Sequence, residues 1–153
     1  MPEPAVLAET VPEIARPFHT FDLHLPLLES GKVTTALAAT DVLACTAQVA
    51  DSGGETVVHS HRGEDQVFLV LGGEATFYTD AEAQNVACVL GPLQGVLIPR
   101  HTVYWYQKTS ADNLVLVRFG AKALGEDQEL DRLSPPLRAP VPVVVSEGRA
   151  FSR

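Results

Sequence analysis

The chain has 153 residues, of which 46% are hydrophobic and 20% are charged, and its formal net charge at pH 7 is −8. These values describe one ordinary globular domain, and a chain of this length buries roughly 70% of the surface that it exposes when unfolded. The negative charge argues against nucleic acid or an anionic membrane surface as a partner, because both select clustered lysine and arginine. No run of about 18 apolar residues is present, which argues against a helix that spans a membrane.

The first segment, residues 1–32, is rich in proline, which excludes a long helix. Its prolines are Pro2, Pro4, Pro12, Pro17 and Pro26. We expect an extended arm with short strand pieces. The first residues lack a basic region followed by an apolar core, so we expect no secretion signal. Cys45 and Cys88 lie far apart in separate apolar runs and are predicted to be free thiols. A reducing cytoplasm is therefore the expected location.

The middle segment, residues 33–120, contains short runs of β-type residues separated by turn residues at intervals of about ten, a rhythm typical of an antiparallel sandwich or barrel. The runs are 43–49, 56–61, 67–71, 75–79, 86–90, 95–98, 103–107 and 114–119. We therefore predict an all-β fold with at most one or two short helices.

The last segment, residues 121–153, is predicted to pack on the barrel or on a partner. Residues 122–133 allow a short helical turn or a polar loop, and the prolines of 134–142 favour an extended chain. Residues 143–145 are three valines, apolar enough to pair with a sheet edge of this chain or of a neighbouring subunit. Because barrels with exposed strand edges need cover, we expect a homodimer.

His59 and His61 are separated by one residue in an extended segment, so their side chains point to the same side. Two imidazoles that face one way, followed by a polar turn and an apolar strand, are a typical way to present two ligands to a divalent metal.

This stretch resembles the first motif of the cupin superfamily, which is a glycine, five residues, His-x-His, three or four residues, a glutamate, six residues and a glycine. Gly53, His59 and His61 match its first half. The glutamate position falls on Gln66 with the longer spacer and on Asp65 with the shorter one. We prefer Gln66. The resemblance implies an antiparallel double-stranded β-helix, the jelly-roll barrel of cupins, with His59, His61 and Gln66 as metal ligands.

The second cupin motif is present in outline. Pro99 matches, whereas His101 occupies the position of the turn glycine and Tyr104 that of the third histidine ligand. The resemblance implies that Tyr104 faces the cavity. A phenol titrates at about 10, so Tyr104 is better suited to act as a catalytic acid or hydrogen-bond donor than as a ligand. The alternatives are that Tyr104 only packs in the barrel wall, and that His101 turns inward as a ligand.

The resemblance implies a metal-dependent enzyme that acts on a small organic molecule. Two histidines and a carboxamide would suit iron, manganese, nickel, copper or zinc. Oxygenase chemistry is the first expectation, and isomerase, lyase and decarboxylase reactions are the others. The alternative is a non-catalytic ligand-binding or sensory cupin that has lost its metal site, as the missing glutamate and histidine suggest.

Other polar residues near these motifs are assigned more ordinary roles. Glu64 and Asp65 are predicted to face solvent in a turn, with Asp65 as the ligand if the register shifts by one. Arg118 has the parity of the core residue Leu116 of its strand and could anchor a substrate carboxylate, but a surface ion pair is the preferred prediction. His19 and His24 are expected to be surface or packing residues.

Overall fold

The computed structural model describes residues 18–125, 130–132 and 143–149. These residues form twelve β-strands and no helix. The strands are β1 (Pro26–Ser30), β2 (Lys32–Ala39), β3 (Leu43–Ala50), β4 (His59–His61), β5 (Glu64–Gly72), β6 (Ala75–Tyr78), β7 (Val86–Leu90), β8 (Gly95–Ile98), β9 (Trp105–Lys108), β10 (Leu114–Lys122), β11 (Leu130–Arg132) and β12 (Val143–Arg149).

Two main antiparallel sheets face each other. The larger has the order β2-β3-β10-β5-β8, and the smaller has the order β7-β6-β9. Phe68 of β5 meets Phe77 of β6 across the interior, with ring centroids 5.4 Å apart. The short strand β4 pairs with β11 and is joined to the smaller sheet by a bridge between His59 and Tyr104. The predicted all-β antiparallel barrel is confirmed.

Alternation of side chains along β5 creates the inner wall. Gln66, Phe68 and Val70 are each at most 1% exposed, whereas Val67 between them is 38% exposed. Successive side chains of a strand point to opposite faces, so this pattern directs every second residue into the barrel. The inner cluster also contains Tyr104 and Tyr106, and Trp105 packs on the opposite face of its strand.

A second apolar cluster lies on the outer face of the larger sheet. Leu25 and Leu28 of the first segment cover Ala47 of β3 and Val115 of β10. The strand β10 is thereby buried on both faces, which explains why its sequence begins as the unbroken apolar run Leu-Val-Leu-Val. The arm is thus part of the packed unit from about Leu25 onward.

Two elements differ from the sequence-based expectation. Strand β2 was not predicted, because its run Lys-Val-Thr-Thr-Ala-Leu-Ala-Ala is rich in alanine, which does not favour strands. Residues 130–132 form a strand within the segment for which a helical turn or loop was predicted; residues 126–129 and 133–142 lie outside the described residues.

The three valines begin β12, which pairs with β1 of the same chain. The three valines thus pair with a strand of this chain, in a separate two-stranded sheet rather than at the edge of either main sheet. None of the described segments contains a helix long and apolar enough to cross a membrane.

Candidate active site

Polar side chains converge at one end of the barrel interior, where β4, the start of β5, Tyr104 and the second half of β10 meet. The backbone N–H of His59 donates to Tyr104 O at 3.1 Å, and that of Tyr104 donates to His59 O at 3.0 Å. This bridge brings the rings of His59 and Tyr104 to a centroid distance of 4.5 Å. The rings of His59 and His61 are 5.1 Å apart. The structure thus brings together three residues that the two sequence motifs singled out.

Hydrogen bonding constrains the protonation of His59, and burial that of His61. His59 Nδ1 lies 2.6 Å from Val57 O. A carbonyl only accepts, so Nδ1 carries a proton, and in the neutral ring the lone pair is on Nε2, the tautomer that metal-binding histidines adopt. Burial, together with the nearby charges of His59 and Arg118, lowers the pKa of His61 to about 4. At pH 7 His61 therefore also has an unprotonated nitrogen.

Gln66 is the centre of a buried hydrogen-bond network. The Tyr104 hydroxyl donates to Gln66 Oε1 at 2.5 Å, and Arg118 Nε donates to the same oxygen at 3.3 Å. The Tyr104 hydroxyl is also 3.5 Å from His61 Nε2. Burial raises the pKa of Tyr104, so the phenol stays protonated and acts as a donor. Gln66 lies inside the barrel, as predicted.

Glu64 and Arg118 form an ion pair within the site rather than at the surface. Their side chains are 13% and 15% exposed, so the expectation that Glu64 faces solvent, and that Arg118 forms a surface pair, is wrong. Glu64 precedes Gln66 by two residues and therefore shares its inward face. A Cβ atom at Gly120 would overlap the Glu64 carboxylate, so the glycine leaves the space that this carboxylate occupies. The period of two that places Gln66, Phe68 and Val70 on one face of β5 was the signal that could have identified Glu64.

The alternative ligands lie outside this cluster. Asp65 Oδ1 accepts a hydrogen bond from the Arg100 backbone at 2.8 Å, on the opposite side of β5. His101 is exposed and has a φ of 66°, the left-handed conformation expected where the cupin motif has glycine. Its backbone N–H donates to His61 O at 2.7 Å. His19 and His24 are exposed, in agreement with their assigned surface roles.

The two imidazoles are donors of a type that a divalent transition metal takes, whereas the Gln66 oxygen is already engaged in hydrogen bonds. An amide oxygen has two lone pairs, and Gln66 Oε1 already accepts from two donors. Within residues 18–125 and the two described strands beyond them, no three histidine, cysteine, aspartate or glutamate side chains form a group that could hold a metal. A metal bound here would rely on His59, His61 and oxygens from water or substrate.

An apolar groove of about 470 Å³ lies on the outer face of the larger sheet. Its walls include Phe18, Phe21, Leu43, Cys45 and Phe119. Burial raises the pKa of Cys45, so this thiol is protonated and a poor nucleophile. The groove lacks the convergent polar groups of the barrel interior, which is therefore the better candidate for chemistry.

Comparisons with known proteins agree with this fold. No protein-family model matches the chain, and no curated protein matches it. A double-stranded β-helix protein from Klebsiella pneumoniae is similar with a TM-score of 0.63 at 13% identity, covering 78% of this chain and 100% of that one. An RmlC-like cupin from Shewanella frigidimarina is similar with a TM-score of 0.55 at 20% identity, and the match covers 72% of this chain and 95% of that one. The DMSP lyase DddQ from Ruegeria pomeroyi is similar with a TM-score of 0.53 at 18% identity, and the match covers 67% of this chain and 52% of that one. The chain has the fold of the cupin superfamily.

Proposed function

We propose that the chain is a cupin enzyme that acts on a small organic molecule inside the barrel, with a divalent transition metal held by His59 and His61. The observation that carries the proposal is the convergence of two imidazoles, with ring centroids 5.1 Å apart, with the Tyr104 hydroxyl, which is 3.5 Å from His61 Nε2.

When bound, such a metal would supply Lewis acidity that polarises a substrate oxygen. The protein groups would orient the substrate. Gln66 accepts from Tyr104 and fixes its hydroxyl, which could then donate to a substrate oxygen or relay a proton. The surrounding apolar wall, including Phe68 and Phe77, would exclude water. Oxygenase chemistry is our first choice, by resemblance of the motif; isomerisation, decarboxylation and elimination are the alternatives, and one structural neighbour is named a lyase.

A second candidate is a non-catalytic ligand-binding or sensory cupin. The engagement of Gln66 Oε1 by Tyr104 and Arg118 favours it, because this oxygen has no lone pair left for a metal. Under this alternative His59 and His61 would be hydrogen-bonding groups of a metal-free pocket.

Metal analysis of protein purified without a histidine tag separates the two candidates. We expect about one divalent metal per chain after reconstitution, and its loss in the double variant His59→Ala/His61→Ala. The matched control is His19→Ala/His24→Ala, which removes the same number of imidazoles from exposed positions and should keep the metal. A wild-type protein that stays metal-free, with unchanged stability, after incubation with metal would favour the non-catalytic ligand-binding or sensory cupin.

We also propose a cytoplasmic location. Cys45 and Cys88 are both free thiols, as the sequence predicts. Free cysteines suit a reducing compartment, where disulfides are rare.

A further inference from the structure

The inner face of the larger sheet carries polar residues beyond those of the candidate active site. Arg118 points into the barrel, because its Nε donates to the buried Gln66. Thr46 lies opposite Arg118 in the pairing of β3 with β10 and therefore shares its face. Lys32 lies opposite Ala50, which belongs to the inner core cluster. Strands β2, β3 and β10 thus present Lys32, Thr46 and Arg118 to the interior.

These residues leave an excess of positive charge inside an acidic protein. The Arg118 guanidinium is neutralised by Glu64. Lys32 Nζ lies 5.9 Å from the centroid of the Tyr106 ring, which is 2% exposed. No carboxylate among the described residues forms an ion pair with Lys32. Burial and the charge of Arg118 lower the pKa of Lys32, so an anion bound near both cations would relieve their repulsion. Two cations and one carboxylate leave one positive charge uncompensated.

Thr46 supplies an independent sign of a missing partner. Its Oγ1 is buried and has no hydrogen-bond partner within the described part of the chain. Buried hydroxyl groups in folded proteins are nearly always paired with protein, water or ligand. Thr46 lies opposite Arg118, so the two side chains occupy neighbouring positions on the same inner wall.

This inner face is accessible from the side of β2. Thr34 and Ala36 lie opposite Gln48 and Thr46, so they share the inward face, and yet both are exposed. The inner face is therefore open to solvent at β2, the strand that pairs with β3 and its buried Thr46 hydroxyl. A small molecule that enters over β2 would meet Thr46 and Arg118 before it reached Gln66 and Tyr104.

We propose that the small molecule bound in the barrel is an organic carboxylate, and that Lys32, Thr46 and Arg118 bind its carboxylate group. This inference rests on the proposed function for the presence of a small-molecule site but not for the metal. One uncompensated positive charge matches a monoanion, which favours a carboxylate over a doubly charged phosphate. The carboxylate would be anchored at the β3–β10 pair, and the rest of the molecule would extend toward Tyr104 and the two imidazoles.

The test is an NMR titration of the full chain with acetate and, as a neutral molecule of the same shape, acetamide. Acetate should shift the Arg118 side-chain N–H and Thr46 amide signals in a saturable manner, whereas acetamide should not. Lys32→Gln and Thr46→Val should each weaken acetate binding about tenfold, the loss expected from one charge-assisted hydrogen bond. The control Arg100→Gln removes an exposed guanidinium and should leave binding unchanged.

The two variants avoid the Glu64–Arg118 ion pair, so they should fold. Thr46→Val removes a hydroxyl that has no partner, so the ligand-free protein should lose no stability to urea while acetate binding falls. Equal shifts by acetate and acetamide, or acetate binding unchanged in both variants, would overturn the proposal. Acetate titrations before and after a chelator removes any bound metal distinguish the carboxylate site from the metal site. Acetate binding that survives chelation supports the carboxylate site even where no metal is found. Metal binding without preference for acetate would refute the carboxylate site alone.

Discussion

At the scale of single residues, Gln66 determines the electrostatics of the site. In this chain a neutral amide stands at a position for which the resemblance implies a glutamate, and its oxygen accepts from both Tyr104 and Arg118. A metal at His59 and His61 would therefore keep its full double charge and bind weakly. The same amide holds the Tyr104 hydroxyl in one direction, which suits that group to act on a bound molecule.

The substitution Gln66→Glu should tighten metal binding, because it adds a negative charge at the ligand position that the resemblance implies. It should also draw Arg118 away from Glu64, since both carboxylates would compete for one guanidinium. Metal affinity measured by competition with a chelator checks this expectation. The comparison variant is Asp65→Asn, which changes the neighbouring carboxylate on the outer side of β5 and should have no effect. If Asp65→Asn abolished binding and Gln66→Glu left it unchanged, our ligand set would be wrong.

The substitution Tyr104→Phe should reduce turnover by about two orders of magnitude, the usual range for the loss of one acid–base group. The ring and its packing remain, and Gln66 Oε1 keeps its bond to Arg118, so the loss of stability should be only about 1 kcal/mol. Steady-state kinetics and metal content, measured on the same preparation, test both statements. Loss of metal in this variant would make the phenol a ligand, and full activity would reduce Tyr104 to wall packing.

Most residues of the site could be predicted from alternation and motif spacing. His59, His61, Gln66 and Tyr104 all face the interior, as their positions in the two motifs imply. Glu64 was misjudged because its neighbours are polar and resemble a turn, whereas β5 already begins at Glu64. The hydrogen bond of Arg118 to Gln66 joins residues 52 positions apart. No local pattern reports a contact of that kind.

At the scale of elements, the pairing of β5 with β10 controls the ion pair. Gly120 lies opposite Gln66, and a Cβ atom there would displace the Glu64 carboxylate from its ion pair with Arg118. We predict that Gly120→Ala costs about 1 to 3 kcal/mol, the usual range for overpacking, measured by urea denaturation. The control Gly72→Ala lies on the same strand pair, where an added Cβ meets only Val115 side-chain atoms at 3.8 and 3.9 Å. Equal effects of the two substitutions would contradict the role assigned to Gly120.

The strands that sequence reasoning predicted well are those rich in branched and aromatic residues, such as β5 and β10. Strand β2 escaped prediction because tertiary pairing with β3, rather than local preference, makes it extended. The short strand β4 was predicted through its histidines, yet its bridge to Tyr104 depends on a partner more than forty residues away.

At the scale of the whole molecule, we predict a homodimer. The outer strands β2 and β8 end the larger sheet among the described residues and offer unpaired edges, which natural proteins usually cover. Sedimentation at micromolar concentration should give twice the mass of 16.4 kDa. Removal of residues 1–17 should weaken the dimer. This truncation keeps Leu25 and Leu28, which cover the outer face of the larger sheet. A monomer in both forms of the protein would contradict the homodimer, and a dimer of unchanged strength after the truncation would contradict the part assigned to the first segment.

The division into an arm, a barrel over residues 33–120 and a C-terminal extension stays a prediction for the parts beyond the described residues. Where the structure describes them, the pieces are tied together: β1 pairs with β12, and Leu25 and Leu28 pack on β3 and β10. Composition alone could not predict these contacts, because they join the two ends of the chain.

The central claim is that the barrel interior holds a divalent metal through His59 and His61. X-ray absorption spectroscopy of protein reconstituted with one equivalent of cobalt(II) tests it most directly, because the spectrum counts imidazole ligands. Our account predicts two imidazoles with oxygen atoms in the remaining positions, and no imidazole in the His59→Ala/His61→Ala variant. A wild-type spectrum with three imidazoles, of which one disappears in His101→Ala, would show that His101 completes the site. A wild-type spectrum with oxygen ligands alone would contradict the account.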